Sequence, residues 1–270
     1  MRRDEESILS YVTNTKGATR HVTLIDPDKQ SPQVAADRAC VAIESGSAMI
    51  FVGGSTDTPD EIVHATCVAI QEGLELRAFA ASQSPDGDEE KWKVPVVLFP
   101  GGSHALSPAA DAITFMMLMN STDRRFLVGE QVRGAPYIDK FGVDALPTGY
   151  VVCHPGGKVG EVGSADLIMP DDIDLVKAYS LTAAMYGFKL FYLEAGSGAD
   201  KQVNPQLIES ASTTEGLTIV VGGGIRTSEQ AKTAADAGAD WIVTGTLTED
   251  ATDLTDLAQK ISSICTALNN

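Results

Sequence analysis

The chain has 270 residues, of which 43% are hydrophobic, and carries a formal net charge of −17 at neutral pH. This length suits one α/β barrel, which typically needs about 250 residues, and the apolar content is sufficient for a large core. The acidic charge argues against nucleic acid as a partner, because no basic surface is available to neutralise phosphates.

The apolar runs of the sequence are strand-sized, and even PVVLF is far shorter than the roughly 20 residues of a membrane span. The first residues, MRRDEESILSYV, lack the apolar region and cleavage site of a signal peptide. The four cysteines are widely spaced without a CxxC pair, which favours reduced thiols over disulfides or a zinc site. We therefore predict a cytoplasmic protein that is not an integral membrane protein.

Eight short β-branched runs predict strands, and most are followed by a turn and a helical pattern. The predicted strands cover residues 21–26, 47–54, 94–102, 111–119, 148–155, 189–196, 217–224 and 239–245. The predicted helices cover residues 32–45, 58–73, 123–140, 170–187, 204–213, 227–237 and 251–268. Near-continuous apolar strands that alternate with helices indicate a parallel sheet covered on both faces. We predict that residues 1–270 form a single (β/α)8 TIM barrel rather than an open doubly wound sheet.

The first predicted strand ends in LIDPDKQ, with Asp26 at its carboxyl end. In this fold the carboxyl ends of the strands form the site, so the Asp26 carboxylate could hold Mg²⁺, which prefers oxygen ligands. A role as a turn-forming aspartate before Pro27 is equally compatible with the sequence. Ser55, at the end of the second strand, strengthens the metal interpretation. Lys29 is a candidate phosphate contact or a solvated lysine.

Between the third and fourth strands lies only PGGSHALSPAA, residues 100–110. This segment is too short and too rich in glycine and proline for a covering helix. The sequence therefore predicts a modified barrel in which the third helix is missing and an apolar groove lies open on the flank.

The sixth strand ends in YLEAGSGA, which places Glu194 beside residues that have very small side chains. A carboxylate at this end of a barrel strand suits a catalytic base, but it could also only hydrogen-bond a loop. Tyr192, taken alone, is typical of an ordinary core residue.

The loops after the seventh and eighth strands, VVGGGIRT and VTGTLTE, are both rich in glycine. A phosphate often binds between these two loops of a barrel, where glycines allow the backbone amides to approach an oxyanion. Gly222, Gly223 and Gly224 would form one side of such a site, and Gly245 and Thr246 the other. One such loop alone would indicate a tight turn; the pair favours phosphate binding.

The motifs HVTLIDPDKQ, FVGGST, VVLFPGG, YLEAGSGA, VGGGIRTSEQA and TGTLTE together resemble those of the geranylgeranylglyceryl phosphate synthase family. The resemblance extends from about residue 20 to about residue 250, and YLEAGSGA is its most specific part. The family also includes bacterial heptaprenylglyceryl phosphate synthases, in which a lysine occupies the place of Leu24. The form TLIDPDK resembles the second archaeal group. The resemblance also implies a barrel without its third helix.

The resemblance implies an Mg²⁺-dependent prenyltransferase of archaeal membrane lipid synthesis. In this reaction the 3-hydroxyl of sn-glycerol 1-phosphate attacks C1 of geranylgeranyl diphosphate and displaces diphosphate. Glu194 would be the catalytic residue, and Asp26 together with Ser55 or Thr56 would hold the metal. The residues implied to bind glycerol phosphate are Tyr192, Leu193, Glu194, Ala195, Gly196, Ser197, Gly198, Gly222, Gly223, Gly224, Gly245 and Thr246. Thr246 stands where family members often have asparagine.

The implied prenyl chain needs an apolar channel, and the segments around the missing helix supply large apolar side chains. Those residues are Phe99, Phe115, Met116, Met117, Met119, Phe126 and Tyr137. An uncovered flank of this kind also predicts a homo-oligomer, either a dimer or a hexamer.

Three alternatives remain open at this point. The first is the same chemistry with a longer prenyl chain, such as heptaprenyl diphosphate. The second is a phosphate-binding barrel isomerase or lyase, which would share the two glycine-rich loops but not YLEAGSGA. The third is a barrel that binds a phospholigand or prenyl lipid without catalysis.

Overall fold

A computed structural model of the chain describes residues 7–15, 17–54 and 58–269. Eight parallel strands close into a barrel in sequence order, with β8 pairing β1, which confirms the predicted TIM-barrel fold. The strands are β1 Arg20–Ile25, β2 Met49–Val52, β3 Val96–Leu98, β4 Ala112–Leu118, β5 Asp144–Val152, β6 Leu190–Glu194, β7 Thr218–Gly222 and β8 Trp241–Thr244.

The α-helices of the described residues include one after each strand except β3. They are α1 Ile8–Thr13, α2 Pro32–Glu44, α3 Asp60–Ser82, α4 Glu130–Phe141, α5 Gly157–Val162, α6 Ile173–Met185, α7 Pro205–Ser212, α8 Ser228–Asp236, α9 Thr246–Glu249 and α10 Leu254–Leu268. Shorter 3-10 turns cover Pro27–Lys29 and Glu90–Trp92, and a π-helical turn, Arg125–Gly129, leads into α4. The short helices α1, α5 and α9 were not predicted.

Two apolar layers follow from the alternation of side chains along the strands. Inward-facing residues such as Val22, Met49 and Tyr192 fill the barrel, and outward-facing residues such as Ile25 and Leu193 pack beneath the helices. The barrel interior is thus a packed core, so it offers no channel through its centre.

The amino-terminal end of the barrel is covered by α1. The indole N–H of Trp241 donates to the Val12 carbonyl oxygen at 2.9 Å, and the Tyr11 hydroxyl donates to the Ala48 carbonyl oxygen at 2.7 Å. The Arg20 guanidinium lies 4.0 Å from the centre of the Trp241 ring. These contacts hold α1 over the aromatic base of the barrel, so the site must lie at the opposite end.

The segment between β3 and β4, residues 99–111, contains no helix, which confirms that the third covering helix is missing. We call residues 99–111 the strap. It lies between α3 and α4, and side chains of both helices accept hydrogen bonds from its backbone: Asp60 from Leu106 and Glu130 from Ser103. Because the strap has no helical hydrogen bonds, some of its backbone N–H groups donate instead to side chains of the neighbouring helices.

One helix differs substantially from its predicted length. α3 continues to Ser82, nine residues beyond the predicted end at residue 73. Gly73 is typical of a helix end, but here it allows close packing against α2, since a Cβ atom at this position would lie 3.2 Å from Cys40 Sγ. Among the residues that the structure describes, no helix is both long and apolar enough to cross a membrane.

Candidate active site

A cavity of about 230 Å³ opens at the carboxyl ends of the strands and continues onto the flank beside the strap. Its polar part lies over the barrel and is lined by Asp26, Gly54, Tyr150, Tyr192, Glu194, Ser197, Gly223, Gly224, Arg226, Gly245, Thr246 and Glu249. We call its apolar part the groove. The groove is lined by Phe99, Leu106, Ile113, Phe115, Met116, Leu118, Phe126 and Ile138. One continuous cavity therefore joins a polar end to an apolar arm.

Glu194 lies at the end of β6, in the polar part, and only 6% of its surface is exposed. Burial raises its pKa to about 7, although the Gly196 N–H and the hydroxyls of Tyr192 and Tyr150 all donate to the carboxylate and oppose the rise. The Gly196 N–H lies 2.7 Å from Glu194 Oε1. A carboxyl group with this pKa can both accept and release a proton near neutral pH.

Tyr150 is a site residue that the sequence analysis missed. Neighbouring strands place Tyr150 beside Tyr192 and Val152 beside Glu194, and the two tyrosine rings lie 5.0 Å apart. Both hydroxyls donate to Glu194, so the base is held from two strands. In the sequence Tyr150 is simply one residue of an apolar run, and only the β5–β6 register reveals the contact.

The glycines after β7 make room for the Glu194 group. A Cβ atom on Gly222 would lie 2.1 Å from the Tyr192 hydroxyl, and a Cβ atom on Gly223 would lie 2.3 Å from Glu194 Oε1. Gly223 also has a φ of +80°, which favours glycine. The sequence suggested only a phosphate role for these glycines, and the structure adds this steric requirement.

The two glycine-rich loops meet beside Glu194. Gly223 and Gly224 face the cavity from one loop, and Gly245 and Thr246 face it from the other. The Thr246 hydroxyl accepts a hydrogen bond from the Gly198 N–H at 3.2 Å, which ties the eighth loop to the sixth. The arrangement forms a concave backbone surface of the kind that binds phosphate.

Arg226 supplies a positive charge beside these loops and was also missed. Its guanidinium lines the cavity and donates to the carbonyl oxygens of Ala199 at 2.7 Å and Gly198 at 3.2 Å. Arg226 belongs to the motif GGGIRT, but the predicted phosphate site rested only on the glycines of that motif. In an acidic protein, a fixed guanidinium at this place favours an anionic ligand.

The other predicted contacts of the sixth and seventh loops do not themselves line the cavity. Leu193 and Ala195 point outward into the helix-facing core, because alternate side chains of a strand occupy opposite faces. Gly196, Gly198 and Gly222 lie behind the surface, where they support Glu194, Thr246 and Tyr192. These residues shape the site through their neighbours.

Asp26 lines the cavity at the end of β1, with 8% of its surface exposed. Burial raises its pKa, and the Asp28 N–H together with the charges of Lys29 and Lys158 partly offsets that rise. Glu249 lines the same cavity, and its pKa is also raised by burial, with Lys29 opposing. Ser55, the other predicted metal ligand, lies outside the described residues.

The donor set suits a hard cation that takes most of its ligands from elsewhere. Within residues 7–15, 17–54 and 58–269, no group of three or more His, Cys, Asp or Glu residues could hold a metal. Mg²⁺ typically uses one or two carboxylates together with waters and substrate phosphates. The Asp26 carboxylate lines the cavity, as such a ligand must. Gly54 leaves room for it, since a Cβ atom at Gly54 would lie only 2.6 Å from Asp26 Oδ2.

The groove contains four of the seven apolar side chains predicted for a channel, namely Phe99, Phe115, Met116 and Phe126. Of the others, Met119 packs against the helix-facing core and Tyr137 lies on a separate depression outside the strap. Phe99 stands where groove and polar part meet, with its ring centre 5.5 Å from that of Tyr192.

The chain is similar to known proteins over most of its length. Residues 87–266 match the PcrB family. The chain is 41% identical over 260 residues to geranylgeranylglyceryl phosphate synthase of Methanobrevibacter smithii, covering 96% of this chain and 95% of the relative. It is 40% identical to the enzyme of the same name from Methanococcoides burtonii, with 97% and 98% covered.

Solved structures point the same way. The (S)-3-O-geranylgeranylglyceryl phosphate synthase of Thermoplasma acidophilum, in complex with its substrate sn-glycerol-1-phosphate, superposes with a TM-score of 0.87 at 35% identity and covers 97% of this chain and 98% of its own. Tryptophan synthase of Mycobacterium tuberculosis, at 17% identity and a TM-score of 0.57, shares the fold alone. The chain belongs to the PcrB family, among its geranylgeranylglyceryl phosphate synthases.

Proposed function

We propose that this chain joins sn-glycerol 1-phosphate to geranylgeranyl diphosphate through an ether bond and releases diphosphate. The observation that carries the proposal is Glu194: a buried carboxyl group with a pKa of about 7, placed where a phosphate cradle meets an apolar groove. Relatives about 40% identical over nearly the whole chain carry the name of this synthase.

The chemical step requires a base close to the acceptor hydroxyl. The O3–C1 bond forms while the bond between C1 and the diphosphate oxygen breaks, and the hydroxyl proton passes to Glu194. The Tyr150 and Tyr192 hydroxyls and the Gly196 N–H hold the Glu194 carboxylate in place for that transfer. Positive charge that develops on the allylic carbon would be stabilised by the same carboxylate.

The acceptor phosphate would lie between the seventh and eighth loops. Backbone amides near Gly223, Gly224 and Gly245 would face it, and the Arg226 guanidinium would contribute charge. The Thr246 hydroxyl keeps the cradle closed by binding Gly198, so this threonine acts through the loop. The hydroxyl end of the glycerol moiety would then point towards Glu194.

The diphosphate would lie near Asp26, with Mg²⁺ as the cofactor. When bound, Mg²⁺ would neutralise the diphosphate charge that accumulates as the leaving group departs. Asp26 would hold the ion, with Ser55 as a second proposed ligand, and Lys29 and Lys158 add positive charge near the Asp26 carboxylate. The prenyl chain would follow the groove past Phe99 towards Phe115 and Phe126.

A direct assay tests the proposal. Purified protein is incubated with sn-glycerol 1-phosphate and, in turn, geranyl, farnesyl, geranylgeranyl and heptaprenyl diphosphates, with and without Mg²⁺. We expect the ether product by mass spectrometry, most rapidly with geranylgeranyl diphosphate and only with the metal. A faster reaction with heptaprenyl diphosphate would favour the longer-chain alternative, and no ether product with any chain would refute the proposal.

A single variant separates catalysis from simple binding. With Glu194→Gln, binding of glycerol phosphate, measured by calorimetry, should largely persist while product formation collapses. A barrel that only binds the ligand would show no turnover in the wild type either. An isomerase or lyase would transform a phosphorylated substrate without any prenyl diphosphate.

We also propose that the protein is a cytoplasmic homo-oligomer. The outer side of α4 and of the turn before it exposes Val128, Val132 and Tyr137, which an identical subunit could cover. Light scattering after size-exclusion chromatography distinguishes a dimer from a hexamer, and a monomer would refute the expectation.

A further inference from the structure

The strap forms one wall of the groove and depends on polar side chains of its neighbours for its position. From α4, Glu130 Oε2 accepts the Ser103 N–H at 2.7 Å. From α3, Asp60 Oδ1 accepts the Leu106 N–H at 3.0 Å, and His64 Nδ1 lies 2.9 Å from Ser107 Oγ. A segment without helical hydrogen bonds is thus fastened on both sides.

Glu130 is the unusual member of this set because it is a buried charge in the wall of a largely apolar groove. Only 7% of its surface is exposed, and it lines the cavity. Its Oε1 accepts from Arg125 Nε at 2.5 Å and from Arg133 Nη1 at 3.1 Å. Burial alone would raise the pKa of Glu130, but the hydrogen bonds from Ser103 and Arg125 lower it to about 2.

The two arginines compensate the Glu130 charge from the solvent side. The side chains of Arg125 and Arg133 are 45% and 67% exposed. Ion pairs of this kind contribute little net stability, yet removing one partner leaves an unfavourable buried charge or an unpaired donor. The main effect of these contacts is therefore on the position of the strap, since a single carboxylate binds the strap, the turn before α4 and α4 itself.

The position of this contact gives it a consequence for the substrate. Ser103 belongs to the strap wall, and Arg125 and Glu130 belong to the opposite wall, and all three line the cavity with Phe115 and Phe126. If the prenyl chain lies between these walls, their separation determines how closely they pack against it. Glu130 joins the walls, so we expect a change at Glu130 to alter the shape of the groove and to leave the phosphate cradle intact.

We propose that Glu130 is a positioning residue for the prenyl substrate, which fixes the strap against α4 and thereby sets the width of the groove. This inference rests on the proposed function only for the identity of the ligand in the groove. The contact between the strap and α4 does not depend on which ligand binds in the groove.

The test compares Glu130→Gln, which keeps an acceptor for Ser103 but loses the charge, with Glu130→Ala, which loses both. Arg133→Gln serves as a milder variant, and Glu90→Gln, which removes the exposed ion pair with Lys93, is the matched control. We expect the KM for geranylgeranyl diphosphate to rise roughly tenfold in Glu130→Ala. The rise should be smaller in Glu130→Gln and Arg133→Gln. The KM for glycerol phosphate and the kcat should stay within about twofold of the wild-type values.

A competition assay supplies the readout that a purely structural role would not change. With equal amounts of farnesyl and geranylgeranyl diphosphate, the Glu130 variants should lose part of the wild-type preference between the two chains. Unchanged KM values and an unchanged product ratio, accompanied only by a lower melting temperature, would overturn the proposal.

Hydrogen exchange tests the contact itself, independently of turnover. Amides of residues 99–111 should exchange faster in Glu130→Ala than in the wild type, and should keep the wild-type rate in Glu90→Gln. If the wild type makes no ether product, the proposed function fails, while faster exchange of the strap in the variant still supports the contact between Glu130 and the strap. Equal exchange in Glu130→Ala and the wild type would overturn the proposed contact.

Discussion

The Glu194 carboxylate lies against Gly223 so closely that a Cβ atom at Gly223 would be 2.3 Å from Glu194 Oε1. The residue proposed as the base and the residue proposed to face the phosphate are therefore sterically coupled across β6 and β7. This contact links the two halves of the proposed site. The role of the contact can therefore be tested by a substitution at Gly223 that leaves Glu194 unchanged.

Gly223→Ala should reduce kcat/KM by about a hundredfold, because the added methyl group displaces the Glu194 carboxylate from its place. Gly216→Ala is the matched control, since Gly216 has nearly the same φ, +81° against +80°, but nothing within 4 Å of an added Cβ atom. Steady-state kinetics of both variants measure the effect. Equal losses would mean that backbone strain, and not the contact with Glu194, causes the defect.

Activity should fall as the pH drops below about 7, because Glu194 must be ionised to accept a proton. Glu194→Gln should lower kcat by about 10² to 10⁴-fold and abolish this limb of the profile. The measurement is kcat/KM between pH 5.5 and 9. A limb at the same pH that persists in Glu194→Gln would assign it to another group, such as the substrate phosphate.

The raised pKa of Glu194 also predicts a trend in stability. The folded protein holds this proton up to about pH 7, whereas the unfolded chain releases it near 4.5, so the unfolding free energy should decrease as the pH rises between these values. The full difference is about 3 kcal/mol. Denaturant unfolding of wild type and Glu194→Gln at pH 5 and pH 8 measures it, and the wild type should lose more stability. An equal loss in both would contradict the assignment.

Tyr150→Phe should move the acidic limb to higher pH. The Tyr150 hydroxyl donates to Glu194 and lowers its pKa, so removing the hydroxyl raises that pKa further. Tyr186→Phe, at a tyrosine that is 65% exposed, is the control and should leave the profile unchanged. An unshifted limb in Tyr150→Phe would show that the hydrogen bond does not act on the catalytic proton.

Thr246→Val should weaken binding of glycerol phosphate. The substitution removes the hydroxyl that accepts the Gly198 N–H, so the sixth and eighth loops separate more easily. A hydrogen bond of this kind corresponds to roughly a three- to tenfold rise in KM for glycerol phosphate. Thr233→Val, on the exposed side of α8, is the control. An equal rise in KM for the prenyl substrate would argue for a general loss of structure.

Asp26→Asn should raise the Mg²⁺ concentration needed for half-maximal activity. The amide removes a charged oxygen ligand but keeps the size of the side chain. A titration with Mg²⁺ in the wild type and in this variant measures the change, with Asp28→Asn as the neighbouring control. The same half-maximal concentration in Asp26→Asn and the wild type would remove Asp26 from the proposed metal site.

Much of the architecture could be predicted because strand signals are local. The β-branched runs identified eight strands, and the short segment between the third and fourth revealed the missing helix. Helix ends were harder, since Gly73 is typical of a terminus but in fact serves the packing of α3 on α2. That difference depends on a contact between helices, which no local pattern contains.

The site shows the same division. Glu194 and the glycine loops were visible because their residue types are unusual at strand ends. Tyr150 and Glu130 were not, because their roles depend on which strand or loop lies beside them: Tyr150 reaches Glu194 through the β5–β6 register, and Glu130 reaches Ser103 across 27 residues of sequence.

The lateral opening beside the strap bears on the order of events in turnover. The phosphate cradle lies over the barrel, whereas the groove leads out along the flank, so the two substrates would approach by separate routes. Neither substrate then has to leave before the other enters, and both must be present together for the ether bond to form. The kinetics should therefore be sequential, with intersecting double-reciprocal lines, and no prenylated protein should accumulate when the acceptor is withheld.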